Sequence, residues 1–297
     1  MANFLSYQIS IKAIMVTNLK IAVLSGKGGT GKTFVASNLA RISGNAVYLD
    51  CDVEEPNGHL FLKGPVLETF DVDLPLPVVN NYLCDGCRKC VDFCAFNALA
   101  LISEQIKVFD KICHSCGGCR IVCPQNAISE YDKSVGKIER RHYENVQVYT
   151  GILNPGEESG TSIIKKMMAM IPPEYENVII DSPPGSACIV MDSIEDADYC
   201  VLVAEPTTFG AHNLKMVHEL AKVFNKPCGA VLNKTNGKED PSSIYCMDNN
   251  IPILLDIPWR KDISDYIAEG SLTVEMDKEI KASFASLLHR IHQEVRG

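Results

Sequence analysis

The chain has 297 residues, 46% of them hydrophobic and 22% charged, with a formal net charge of −9. That is enough apolar material for one large core or two smaller ones, and the acidic balance argues against a general nucleic-acid binder. No run approaches the roughly eighteen apolar residues of a membrane span.

At the N-terminus, Lys12 follows the apolar residues rather than preceding them, and no small-residue cleavage site comes after, so no signal peptide is read there. Met15 precedes the first expected strand closely enough to be a natural start, with residues 1–14 an extension or tag and 1–16 lying outside the folded part. The chain is expected to be cytoplasmic. Its 13 cysteines then point to metal or redox chemistry more than to disulfides.

Residues 20–25 form a short apolar run before a glycine-rich turn, and a helical pattern continues to about Ser43. Residues 46–50, 178–181, 199–204 and 228–232 read as further buried strands, with helical stretches over 159–171, 187–196, 208–225 and 241–249. Short apolar strands alternating with helices predict an α/β fold, a mostly parallel sheet with helices on both faces. In the last segment, Ile280, Phe284, Leu287, Leu288, Ile291 and Val295 recur at helical spacing, as in a final helix packed on the sheet. Trp259 is expected beside the nucleotide loop or in the core.

From Pro75 to about Lys137 the alternation is lost and eight cysteines arrive. Cys84 and Cys113 open two halves repeating with a period of 29 residues, and Asn97-Ala98-Leu99 matches Asn126-Ala127-Ile128. This reads as an inserted domain at 77–137, between two parts of a larger domain at 17–76 and 138–297. Each half is C-x2-C-x2-C-x3-C, the bacterial-ferredoxin spacing for 4Fe–4S clusters, in which the fourth cysteine turns toward the other cluster. Cys84, Cys87, Cys90 and Cys123 are therefore assigned to one cluster, and Cys113, Cys116, Cys119 and Cys94 to the other. Zinc sites favour two C-x2–4-C pairs with a longer spacer, and regular quartets do not suit disulfides. Ala95 stands where the motif expects proline, while Pro124 keeps it.

"S-G-K-G-G-T-G-K-T" (25–33) satisfies G-x4-G-K-[ST] between a predicted strand and a predicted helix. Backbone N–H groups of Gly26, Lys27, Gly28, Gly29, Thr30 and Gly31 would cradle phosphates, Lys32 would reach the β- and γ-phosphates, and Thr33 would bind Mg²⁺. With its second lysine, Lys27, the loop resembles the deviant Walker A motif of the MinD/Mrp/nitrogenase-iron-protein class of P-loop ATPases. "Y-L-D-C-D" (48–52) resembles that class's first switch, "I-I-D-S-P-P-G" (179–185) its second, and "V-L-N-K-T" (231–235) its adenine-recognition strand end. With the cysteine stretch, the chain resembles members that carry an inserted two-cluster ferredoxin domain.

The resemblance implies that ATP joins two subunits, either a homodimer or a heterodimer with a paralogue. Lys27 would cross to the partner's phosphates, Asp52 would orient the attacking water, and Asp181 would hold Mg²⁺ through water. Gly185 would let the second switch respond to the γ-phosphate, and Asn233 would bond adenine. Asp50 has a plainer role open to it, bonding backbone beside the loop. Three functions follow: an ATP-gated electron carrier with a redox partner, an assembly ATPase serving a metal-cofactor client, or a positioning ATPase with redox-sensing clusters. Cys188 has a spacing similar to a cluster cysteine of the nitrogenase iron protein, although a structural role is the simpler reading.

Overall fold

The computed structural model describes residues 18–186 and 188–296, so the readings made for residues 1–16 fall outside it. In chain order the elements are β1 (Leu19–Leu24), α1 (Lys32–Ile42), β2 (Ala46–Asp50), β3 (Val66–Val79), α2 (Lys89–Phe93), β4 (Leu99–Ile102), β5 (Gln105–Val108), α3 (Gly118–Ile121), β6 (Ile128–Tyr143), β7 (Val146–Leu153), α4 (Thr161–Ala169), β8 (Asn177–Asp181), α5 (Cys188–Ile194), β9 (Tyr199–Ala204), α6 (Thr208–Val223), β10 (Cys228–Thr235), α7 (Pro241–Asp248), β11 (Ile253–Pro258), α8 (Lys261–Ala268), α9 (Thr273–Met276) and α10 (Lys278–Arg296).

Nine strands form one sheet in the order β11-β10-β9-β1-β8-β2-β7-β6-β3. The neighbours from β11 to β7 pair in parallel, and β6 and β3 close one edge antiparallel. The apolar runs follow from this, because a parallel strand covered on both faces must be hydrophobic at consecutive positions. In β1, Ala22 and Leu24 face a core built with α4, α5, α6 and α7, and Leu19, Ile21 and Val23 face one built with α1, α8, α9 and α10. α10 buries Ile280, Phe284, Leu287 and Ile291 against the second face, and Phe284 meets Phe34 of α1 edge-on at 6.3 Å. No described helix is long and apolar enough to cross a membrane.

Two findings depart from the sequence reading. Trp259 is 63% exposed and so lies outside the core, and its backbone N–H donates to the Thr235 carbonyl at the end of β10. Strands β3 and β6 pair from Val66↔Arg141 to Val79↔Ile128 with two register shifts, where no long strands were expected. Their far ends carry the cysteine loops, the β4–β5 hairpin and a separate small core that includes Cys90, Ala98, Leu99, Ile106, Cys119 and Ile128.

Candidate functional site

The loop after β1 reaches the N-terminus of α1 through Gly31, whose φ of 96° is left-handed and whose Cβ, were there one, would lie 2.2 Å from the Asn233 side chain. Glycine is thus required for both conformation and space. Asn233 is buried at 4% exposure and its Nδ2 donates to the Thr30 carbonyl at 2.8 Å, so it braces the phosphate-type loop. A cavity of about 560 Å³ opens above the loop; Lys27, Lys32, Thr33 and Asp52 line it together with Pro183 and Pro184, which follow β8. Gly185 follows with a φ of 95°, and its N–H donates to the Ser25 carbonyl at 2.9 Å.

Beneath the cavity lies a buried charged group. The Lys32 ammonium is 2.5 Å from Asp181 Oδ1, and the Tyr48 hydroxyl donates to Asp181 Oδ2 at 2.7 Å. Burial works to lower the Lys32 pKa, but Asp181, aided by Asp50 and Asp52, outweighs it and holds the lysine protonated above its usual range. Burial pushes the Tyr48 hydroxyl well up, and the Asp181 charge adds to this.

Asp50 and Asp52 differ sharply. Asp50 has no exposure; its Oδ2 accepts the Gly58 N–H at 2.8 Å and its Oδ1 has no partner. Burial and then the Asp181 carboxylate push Asp50 up to about 8, against Lys32 and the Gly58 bond. Asp52 is half-buried on the cavity wall; burial raises it too, against the Lys32 charge. Three neighbours had gone unnoticed in the sequence. Tyr48 looks like one more apolar strand position. Glu205 and Lys234 sit at the ends of β9 and β10, beside Lys27 and Gly29, only because the sheet places β9 next to β1 and β10 next to β9.

The cysteine quartets ring two further cavities. Cys84, Cys87, Cys90 and Cys123 line one, a narrow space of about 10 Å³. Cys94, Cys113, Cys116 and Cys119 line the other, of about 240 Å³, with Phe96 and His114 stacked at 3.7 Å beside it. In each, three cysteines come from one loop and the fourth from the other half. Backbone N–H groups of Ala98 and Ala127 donate to the sulfurs of Cys94 and Cys123 at 3.4 and 3.3 Å. Among the described residues, no three Cys, His, Asp or Glu side chains converge closely enough to hold a single metal ion; the thiols surround a space rather than a point. Cys188 is exposed at the start of α5, whereas Cys200 and Cys246 are buried.

A parallel sheet whose first strand feeds a glycine-rich loop and a helix N-terminus, with an aspartate ending the adjacent strand, defines a P-loop nucleotide-binding protein. Residues 21–274 match the CobQ/CobB/MinD/ParA nucleotide-binding domain, and the chain belongs to that family. It is 28% identical over 282 residues to the uncharacterized protein MJ0578 of Methanocaldococcus jannaschii, covering 93% of this chain and 97% of that one. It is 28% identical over 220 residues to MJ0579 of the same organism, covering 72% and 79%. Among solved structures it is similar to the septum site-determining protein MinD of Pyrococcus horikoshii, complexed with Mg-ADP. That likeness has a TM-score of 0.59 and 18% identity, over 92% of this chain and 96% of the other.

Proposed function

We propose that the chain binds and hydrolyses ATP with Mg²⁺ and couples a nucleotide-driven dimer switch to electron transfer through two 4Fe–4S clusters held by an inserted ferredoxin domain. The observation that carries this reading is the crossed grouping of the thiols: Cys123 lies with Cys84, Cys87 and Cys90, and Cys94 with Cys113, Cys116 and Cys119. The donor set fits such clusters, since each is held by four thiolates and tuned by hydrogen bonds to its sulfurs. Bound there, they would supply one-electron transfer. The chain's own residues would hold them on short loops, with Cys90 and Cys119 buried and Cys87 and Cys116 exposed.

At the nucleotide site, the loop N–H groups from Gly26 to Thr33 and the Lys32 ammonium hold phosphate charge. Thr33 and Asp181 would hold Mg²⁺, which would neutralise phosphate charge, and Lys32 and Tyr48 fix the Asp181 carboxylate for that role. Asp52, on the cavity wall, places the attacking water, and phosphoryl transfer requires such positioning more than covalent chemistry. Lys27 reaches the phosphates of a partner subunit, and Asn233 keeps the loop fitted to adenine and phosphate together. The chain acts in the cytoplasm as a homodimer or with a paralogue, and passes electrons to a redox partner.

The test is anaerobic reconstitution followed by analysis: about eight iron and eight sulfide per chain are expected, with Mg²⁺-dependent ATP hydrolysis. Zinc without sulfide would overturn the reading. One observation favours cofactor assembly for a client protein instead, namely the exposed Cys188 thiol just after the second switch segment. Cys188→Ser should retain all the iron if the electron-carrier reading holds, and lose part of it if Cys188 helps to carry a transferable cluster.

A further inference from the structure

Lys27 is not free in the cavity. Its ammonium lies 2.8 Å from Glu205 Oε2 and 5.1 Å from the centroid of the Phe209 ring. The other Glu205 oxygen, Oε1, accepts from Lys234 Nζ at 2.7 Å, and Lys234 Nζ also donates to the Gly29 carbonyl at 2.9 Å. One carboxylate thus joins the second lysine of the loop to a lysine that grips the same loop from β10. Glu205 has only 15% of its side chain exposed, so these charge-assisted bonds are less screened than surface pairs. Burial works to raise the Glu205 pKa, but the two lysines outweigh it and hold the group below its usual range. The Glu205 backbone is fixed independently: its carbonyl accepts from the Ser242 hydroxyl at 2.7 Å and from the Thr207 N–H at 2.8 Å. Replacing the side chain therefore need not move the strand end.

We propose that Glu205 is a positioning residue that retains Lys27 within its own subunit, so that a partner's bound triphosphate must compete with Glu205 for the lysine before the dimer can close. This rests on the reading that Lys27 crosses between subunits. Lys27 has one positive charge, so phosphates that draw it across an interface compete with the carboxylate from which it now lies 2.8 Å. Closure then requires an exchange of anions, from one carboxylate to the more highly charged triphosphate. The γ-phosphate adds to that competing charge, so a diphosphate would compete less well. Lys234 tunes the exchange. By sharing the carboxylate it weakens the hold on Lys27, and without it Glu205 would have Lys27 as its one ammonium partner.

The experiment measures the dimerisation constant of the reconstituted full chain by analytical ultracentrifugation, with Mg²⁺ and a slowly hydrolysed ATP analogue. Glu205→Gln, which keeps the size and an acceptor oxygen, should tighten the dimer about tenfold, the effect of removing one partly buried charge contact from the open state. Lys234→Ala should weaken it. These opposite signs separate positioning from scaffolding, since both variants remove loop contacts and a purely structural role would weaken the dimer in both. In a Lys27→Ala background, Glu205→Gln should have no further effect, because the interaction it removes is already gone. If the wild-type chain dimerises with the analogue and Glu205→Gln leaves the constant unchanged or weakens it, Glu205 has no retaining role. A wild-type chain that stays monomeric at saturating analogue would instead overturn the dimer switch, and Glu205's role with it.

Discussion

Two aspartates two positions apart can be separated by burial and by a neighbouring charge. Asp50 shares the buried space with Asp181 and has one oxygen without a partner, so its carboxyl stays protonated up to about pH 8 in the folded chain. In the unfolded chain it releases that proton near pH 4. Between these values the native state holds a proton that the unfolded state has lost, so stability falls as pH rises from about 4 to about 8. Asp50→Asn removes this term. Its melting temperature should gain on wild type by a few degrees between pH 5 and pH 8 in chelator-containing buffer, as thermal scans at several pH values would show. Parallel curves would mean that Asp50 is ionised throughout. Asp52 is the one on the cavity wall, and Asp52→Ala should keep ATP affinity while slowing single-turnover hydrolysis on the order of a hundredfold or more. Lys32→Ala is a poorer probe, because it also strands the buried Asp181 charge, at a cost of about 3–5 kcal/mol.

Among the elements, the antiparallel edge carries the most new information. Where β6 leaves the sheet, Val135 bulges from the ladder between the pairs Val72↔Gly136 and Asp73↔Ser134. A Cβ on the next residue, Gly136, would lie 2.3 Å from the Ile152 carbonyl oxygen and 2.6 Å from Ile163. Gly136→Ala must push β6 away from β7, which should cost about 1–3 kcal/mol and lower the melting temperature by a few degrees. An unchanged transition would show that the edge is loosely packed. The buried parallel strands were legible because coverage on both faces makes them continuous apolar runs, as in V-I-I-D before the second switch. Strand β3 was not legible, because Pro75 and Pro77 argue against a strand in the middle of a sheet. It is the edge strand, where a missing N–H goes unnoticed, and there Pro75 pairs with Asp132 and Pro77 with Glu130. The loop glycines and Lys32 could be read from local spacing, and Asp181 from the resemblance of its segment to a known family's. Glu205, at the end of β9, could not, because its contact with Lys27 depends on the order in which strands pair.

Across the molecule, the same edge joins the nucleotide cavity to the cysteine cavities through backbone contacts. Val53, next to Asp52, accepts the Leu153 N–H at 2.8 Å, and Leu153 is in register with Gly136 at the bulge. From there β6 pairs with β3 as far as Val79↔Ile128, the Asn80 N–H donates to the Ala127 carbonyl at 2.8 Å, and the Asn80 carbonyl accepts from Cys84. Val53 is also wedged tightly: a Cβ on Gly160 would lie 2.1 Å from it, so the segment after β2 cannot shift without moving its neighbours. A ligand changes a distant site only by favouring one arrangement over another. If Asp52 moves to place the water that attacks the γ-phosphate, it pulls on Val53, and through it on the ribbon that carries the thiols. ATP with Mg²⁺ should therefore change the reduction potential of the reconstituted clusters, or the rate at which a chelator strips their iron, and ADP should do so less. By linkage, reduction should change ATP affinity by the same factor as ATP binding changes the reduction equilibrium. Lys27→Ala should abolish the difference while leaving ATP binding to the single subunit largely intact, since the role proposed for it lies across the dimer. Potentials and chelation rates measured without nucleotide, with ADP and with the slowly hydrolysed analogue decide the matter. Three identical sets of values would mean that the ribbon transmits nothing, and that the ATPase and the cysteine module share a chain without sharing a switch.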